Sequence, residues 1–379
     1  MHSHNDRSIA EMLRDRLLAE NAFIEFAMQQ FQKLAQLSGE PSLEMRFDPN
    51  QPRDDRGRWT SGGGHSGVPT YRVERDTSGE TPWSSVVSTF ADDGRVAGQT
   101  IFNRDGSEIR SEFNLGDDAS SWDERHTVVL PSGRTFTIEN DGPAQTIIDD
   151  SDGTVVGRTA WTKDGPVEDP VIEQVRRGPR TDPGTADQLQ RARDAVITLF
   201  GWLSTQSGSA NPADGSGGKA VLVFKADEYA PDGAPEPSII HVRKLDRSET
   251  EAFCPRLPDV QQRTDAAAAA VKARGDFRDA ADYGTKVHTD LANQIRALGD
   301  PNYRAEISFL KGAEERYGAK GSFRIDVLEN VGNGTVCVYD IKTGRRGLSE
   351  ARATGIASAV QRHYLGTTRI VVVETRPTQ

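Results

Sequence analysis

The stretch GTVCVYDIKTGRRGLS, Gly334 to Ser349, places the tightest constraint on how this chain folds. Its first half alternates as a strand does, with Val336 and Val338 on one face, and the same register then delivers Asp340 and Lys342. An apolar strand face that ends in two opposite charges is costly to bury unless something takes those charges up. The competing reading is an exposed ion pair at a strand end, which contributes little to stability.

The rest of the chain narrows the possibilities. At 379 residues it is too long for one ordinary domain. Only 35% of it is hydrophobic, with 36 Gly and 19 Pro, so linker and thin β structure are expected beside a core. Cys254 and Cys337 lie far apart and form no metal-ligand spacing, so neither a disulfide scaffold nor a zinc site is expected. No run approaches the length of a membrane span, and the N-terminus lacks a signal-peptide apolar core. A soluble cytoplasmic protein is the expectation, with delivery by a route that needs no signal peptide left open. The net charge of −11 argues against nucleic-acid binding until its distribution is read. Residues 281–379 carry fourteen Lys and Arg against eleven Asp and Glu, a net of +3, which leaves −14 on the remainder. An acidic body thus joins a mildly basic C-terminal unit.

Along the chain, Ser8–Leu37 has apolar residues near helical spacing and is predicted as an amphipathic helix within an N-terminal segment, 1–44. The Pro- and Gly-rich stretch at 45–70 is expected to be a linker, and its DPNQPRDDRGRW resembles segments that recur in phage and prophage proteins. Over 71–172, Asp-Gly pairs begin at Asp93, Asp105, Asp141, Asp152 and Asp164, with spacings of 12, 36, 11 and 12. Between them, runs such as RTFTIE alternate with period two. Asp-Gly supplies the positive φ of tight hairpins, so a β meander is predicted, and no calcium-loop spacing accompanies the aspartates. A helical connector (173–207, its helix at Thr185–Thr205) and a flexible linker (208–219) follow. Gly218-Lys219 is no phosphate loop, because Ala213 and Ala220 stand where Gly and Ser or Thr are needed, so no ATP-driven motor is expected.

The last segment, 220–379, opens with strands at 220–226 and 238–245 and a helix at Val260–Arg274. A core over about 279–379 then reads αβββαβ. It comprises a helix from Asp279 to Leu298, strands near 303, 322 and 335, a helix from Ser349 to Leu365, and a strand near 368 whose centre, Ile370–Val373, is wholly apolar. On this frame Asp326 interrupts the second strand between Ile325 and Val327, next to the strand that ends in Asp340 and Lys342. Carboxylates on neighbouring strands repel unless a cation sits between them, and oxygen ligands of this kind suit Mg²⁺ or Mn²⁺. Strand alternation aims Glu306 at the same place.

With Asp, then Asp-x-Lys, on αβββαβ, this region resembles the PD-(D/E)XK nuclease superfamily and its restriction-endonuclease-like fold. DIKTG, Asp340 to Gly344, resembles the Asp-x-Lys-Thr-Gly of RecB-like nucleases, and GTKVH matches that group's Gly-x-x-x-His with Gly284 and His288. The resemblance implies His288, Asp326 and Asp340 as metal ligands, Lys342 as catalytic, and a glycine that lets the first helix approach the sheet. Glu306 joins them as a catalytic candidate from strand alternation alone. Two departures stand out: Gln361 and Tyr364 have two residues between them where the group has three, and Ile325 replaces proline before Asp326. Arg345, Arg346, Arg352 and Arg362 are candidate phosphate contacts, and Gln361 a candidate substrate-positioning residue, while a solvated turn accounts equally for Arg345 and Arg346. The implied activity is metal-dependent hydrolysis of DNA. The layout suits a phage-derived or toxin-type effector with an acidic immunity protein as partner. The alternative is a phage structural or interaction protein whose nuclease-like domain is inactive.

Overall fold

The computed structural model describes residues 70–116, 121–162, 165–169, 183–206, 218–226, 238–310, 313–315 and 322–378, all within the compact unit Val68–Gln379. The helix predicted over Ser8–Leu37, the linker over 45–70 up to its last residue, residues 173–182 ahead of the connector helix, and most of the linker at 208–219 lie outside them. Two sheets dominate. The first is an antiparallel meander of nine strands: β1 (Thr70–Arg75), β2 (Trp83–Phe90), β3 (Val96–Asn103), β4 (Glu108–Phe113), β5 (Glu124–Val129), β6 (Thr135–Asp141), β7 (Ala144–Asp149), β8 (Thr154–Thr162) and β9 (Gly165–Glu168). The glycine of each Asp-Gly pair has positive φ, from 51° at Gly142 to 97° at Gly165, as hairpin turns require. The long interval between Asp105 and Asp141 holds a further turn at Gly133, φ 84°, which a search for Asp-Gly alone passes over.

One face of the meander buries Val86, Ile101, Ile109, Val128, Phe136, Ile138 and Ile147 in a core shared with α1 (Pro183–Thr205), which supplies Ala195, Val196, Leu199 and Phe200. The same core continues onto the second sheet. That sheet is formed by β10 (Lys219–Lys225), β11 (Ser238–Leu245), β12 (Tyr303–Leu310), β13 (Ala313–Glu315), β14 (Phe323–Gly332), β15 (Thr335–Ile341) and β16 (Arg369–Thr375), in the order β11-β10-β16-β15-β14-β12-β13. Among the described strands only β15 and β16 pair in parallel, joined by a crossover through α5 (Glu350–His363). At the sheet's outer strand, the Gln145 side chain of β7 accepts from the Val242 backbone N–H and donates to its carbonyl, covering polar groups that an edge leaves unpaired.

The predicted αβββαβ order is present with one addition, the short β13 between β12 and β14 at the sheet's edge, and β10 and β11 extend the sheet beyond β16. α1 and α5 cover one face, and the other packs on α3 (Leu257–Arg274) and α4 (Ala280–Arg296), reached through the short α2 (Arg247–Phe253). Among the described residues no helix is long and apolar enough to cross a membrane.

The expectation that Cys254 and Cys337 give no disulfide scaffold is corrected. Cys254, at the end of α2, and Cys337, in the middle of β15, form a disulfide across 83 residues. Spacing carries no signal for such a pair, because the fold alone brings the α2–α3 turn against the sheet, where Cys254 joins Leu257, Val260 and Tyr339 in one core. Closing so long a loop restricts the unfolded chain. Reduction, or joint replacement of both cysteines by Ala, is therefore expected to lower stability by roughly 2–4 kcal/mol. Denaturant unfolding with and without reductant measures this, and coincident curves would refute it.

Candidate metal centre

Glu306 and Asp326 stand where the sheet changes phase. In a regular strand, residues two apart share a face. Here Ala305 belongs to the core under α3 and α4 and Ile307 to the opposite core, and across the ladder Val327 and Ile325 divide in the same way. The cause is the backbone of Glu306, whose φ of 54° lies in the left-handed region, a conformation costing about 1–3 kcal/mol for a residue other than glycine. Arg296 of α4 reaches the carbonyls of Ala305 and Glu306 at 3.4 and 3.5 Å across the irregularity. Glu306 thus lies beside Asp326, where strand alternation aimed it, although the alternation itself breaks there.

His288 comes to this point from α4. The N-cap Asp279 accepts from the Asp282 N–H, and Val287, Leu291, Ala292 and Ile295 bury one stripe of the helix. Close approach depends on Gly284, since a Cβ there would lie 2.7 Å from Thr343 Oγ1. The glycine of GTKVH thus packs on the threonine of DIKTG. One turn on, His288 Nδ1 lies 3.2 Å from Glu306 Oε1 and 3.8 Å from Asp326 Oδ1. One ligand atom from each of His288, Glu306 and Asp326 falls within 4.8 Å of the others, a cluster capable of holding a metal ion.

Asp340 is fully buried beside this cluster, which removes the reading of an exposed ion pair. Its Oδ2 lies 2.6 Å from Lys342 Nζ and its Oδ1 3.0 Å from Arg352 Nε. Arg352 also places Nη2 3.0 Å from Asp326 Oδ1, donates to the Arg324 carbonyl, and lies over the Phe323 ring at 4.8 Å. Arg324 Nε is 2.8 Å from Glu306 Oε2. Asp326 Oδ2 accepts from the Ile341 N–H at 2.9 Å.

The electrostatics follow from burial and proximity. Burial and then the charge of Asp340 raise the Asp326 carboxyl above its usual range, against the pull of His288 and Arg352. Burial alone pushes the His288 imidazole down, but Glu306, Asp326 and Asp340 together outweigh it and leave the group raised. The donor set suits a divalent cation: one imidazole nitrogen and two carboxylates, with one ligand atom of each within 4.8 Å of the others.

The remaining sequence candidates divide. Arg345 and Arg346 are exposed on the loop after β15, bordering the same open cleft as His288, Asp326 and Lys342. Arg352 sits among the carboxylates rather than on an open phosphate track. Gln361 is buried on α5, nine residues and about 13 Å along the helix from Arg352, and Arg362 is exposed there and donates to the Ser358 carbonyl. Neither reaches the cluster.

Sequence reasoning passed over Glu374 and Arg376. Glu374 lies beside Asp340 in the parallel register, and its Oε2 accepts from the Leu348 N–H at 2.9 Å. Arg376 pairs with Glu374 and donates to the carbonyls of Gly344 and Arg346, so the two residues fasten the loop that carries Arg345 and Arg346. Their signal was available, because Glu374 continues the buried face of Ile370 and Val372 just as Asp340 continues that of Val336 and Val338.

Comparison with protein-family models, with curated proteins and with solved structures finds no match.

Two outcomes follow from the geometry of the site. The folded His288 has a pKa above the usual 6.5, so its proton-linked stabilisation is full below pH 6.5 and disappears as pH rises through the folded value. Metal-free protein should therefore lose more stability between pH 6 and pH 9 than His288→Gln does in denaturant titrations, and parallel profiles would contradict the contact. Gly284→Ala should stabilise α4 by about 0.5–1 kcal/mol through helix propensity in a Thr343→Ala background, and by clearly less, or not at all, with Thr343 present. Thermal melts of the four proteins give the coupling, and additivity would mean that the two motifs do not touch.

Proposed function

We propose that the chain is a metal-dependent nuclease hydrolysing DNA phosphodiester bonds, with an active site of the PD-(D/E)XK kind. The observation that carries this reading is the meeting of His288, Glu306 and Asp326 within ligand distance, alongside the buried Asp340 and its Lys342. His288, Glu306 and Asp326 would hold the ion, and the imidazole would make Mn²⁺ a better match than Mg²⁺, which prefers oxygen ligands throughout. A bound divalent ion supplies a Lewis acid for the phosphate and acidifies a water.

The chain's own groups do the rest. Asp340 keeps the Lys342 ammonium at the cleft, where it orients the attacking water or meets charge developing on the phosphate oxygens. Arg345 and Arg346, on the loop fastened by Glu374 and Arg376, hold flanking phosphates and read no sequence. The Cys254–Cys337 bond suits a protein that passes through an oxidising compartment, in keeping with a delivered, toxin-type effector of phage origin. An acidic immunity protein is the natural cover for Arg345 and Arg346.

Full-length protein incubated with supercoiled plasmid and Mn²⁺ or Mg²⁺ should nick it, and chelator should stop the reaction. Lys342→Ala and Asp326→Asn should each reduce the rate by about a hundredfold or more. Intact plasmid after incubation with a folded sample in either metal would assign the chain to the structural alternative.

A further inference from the structure

The charges at the centre are already compensated. Glu306, Asp326 and Asp340 carry three formal negative charges, and Arg324, Arg352 and Lys342 bring three formal positive charges onto the same carboxylates. A divalent ion added to this set leaves two positive charges in excess among buried groups, where uncompensated charge is expensive. Either a resident cation leaves or an anion arrives with the ion.

The three cations are not equivalent. Arg324 holds Glu306 Oε2, whereas His288 faces Oε1, so Arg324 leaves the ligand oxygen clear. Lys342 holds Asp340 Oδ2, outside the three-residue cluster. Arg352 alone occupies a ligand atom, since its Nη2 sits on the same Asp326 Oδ1 that faces His288. Its Nε ties up Asp340 Oδ1 as well, so both strand aspartates are bound by one guanidinium. Arg352 also borders the cleft. It lies in the first turn of α5 with its side chain 25% exposed, and its bond to the Arg324 carbonyl and its place over the Phe323 ring engage the guanidinium without needing either aspartate.

We propose that Arg352 is a resident counter-cation that competes with the divalent ion. It bridges Asp326 and Asp340 while the site holds no metal, and it passes to a phosphate oxygen of the nucleic acid when the ion enters. Metal and phosphodiester therefore bind cooperatively, each raising the other's affinity by the same factor. The identity of the anion rests on the nuclease reading; the competition between Arg352 and the ion does not.

The test is calorimetric titration of Mn²⁺ into full-length protein, as wild type and as Arg352→Met, without nucleic acid and then with a saturating phosphorothioate-backbone duplex that resists hydrolysis. Removing a charge-assisted hydrogen bond from a ligand oxygen should tighten Mn²⁺ binding by about tenfold in Arg352→Met without duplex. Duplex should tighten binding by a similar factor in the wild type and by much less in the variant. Mn²⁺ affinity in a folded Arg352→Met no higher than wild type overturns the proposal, as does a wild-type affinity indifferent to duplex. If melting curves show that Arg352→Met does not fold, the wild-type comparison with and without duplex decides alone. Plasmid nicking with an unchanged Mn²⁺ affinity in the variant keeps the nuclease and removes the counter-cation. Tighter, duplex-coupled Mn²⁺ binding without nicking does the reverse. Failure of Mn²⁺ to bind either protein, with or without duplex, removes both.

Discussion

The carboxylate of Asp326 serves the sheet with one oxygen and the site with the other. The β14–β15 ladder runs only as far as Val327 opposite Tyr339, and beyond it Asp326 Oδ2 takes the Ile341 N–H in place of a backbone carbonyl. That bond fixes the side chain. Oδ1 then occupies a determined position, and His288, Arg352 and the Glu306 carboxylate are arranged around it. An apolar residue at 326 would leave a buried N–H unpaired as well as remove a ligand, and a longer acid would not keep both contacts. Strand end and site are a single construction.

Irregularity in the backbone makes this construction possible. A strand that kept its pleat would send Ala305 and Ile307 into one core, and Glu306 into the other, with no carboxylate left at the boundary. The left-handed turn of the chain at Glu306 sends the flanking apolar residues to opposite cores and leaves Glu306 facing His288. The strain is held by packing on both sides, where Tyr303 and Ala305 are anchored under the α3 and α4 core and Ile307 and Phe309 under the α1 and α5 core.

Legibility in the sequence follows from this. Elements with a regular period were readable: the Asp-Gly hairpins, the αβββαβ order and the buried centre of β16 all depend on local φ and on apolar spacing. Asp340 was readable because it continues the face of Val336 and Val338, and Glu374 was equally so. The phase change at Glu306 was not, since nothing about a glutamate announces positive φ. The Cys254–Cys337 bond was hidden for a different reason, as 83 residues separate two positions that only the packing of α2 and α3 on the sheet brings together. Arg352 was read as a phosphate contact, and its place among the carboxylates was hidden because helix position alone does not say whether a long side chain reaches outward or back over the sheet.

Three buried carboxylates within reach of one another raise a problem that precedes any chemistry, since the chain must fold before an ion is in place. Unpaired, they would destabilise the sheet end they close, as the raised Asp326 and its dependence on Asp340 illustrate. Arg324, Arg352 and Lys342 solve this by supplying positive charge from the protein itself, each on a different strand or helix segment of the same neighbourhood. The same solution weakens the site for a metal, because every internal cation that helps the fold also opposes an external one. The sign of charge that favours folding is thus the sign that disfavours loading, and a bound phosphate anion relieves that opposition by giving a guanidinium somewhere else to go. In this light Asp340 and Lys342, following in the register of an apolar face, are a buried carboxylate and its own counter-ion, which meets it from the cleft.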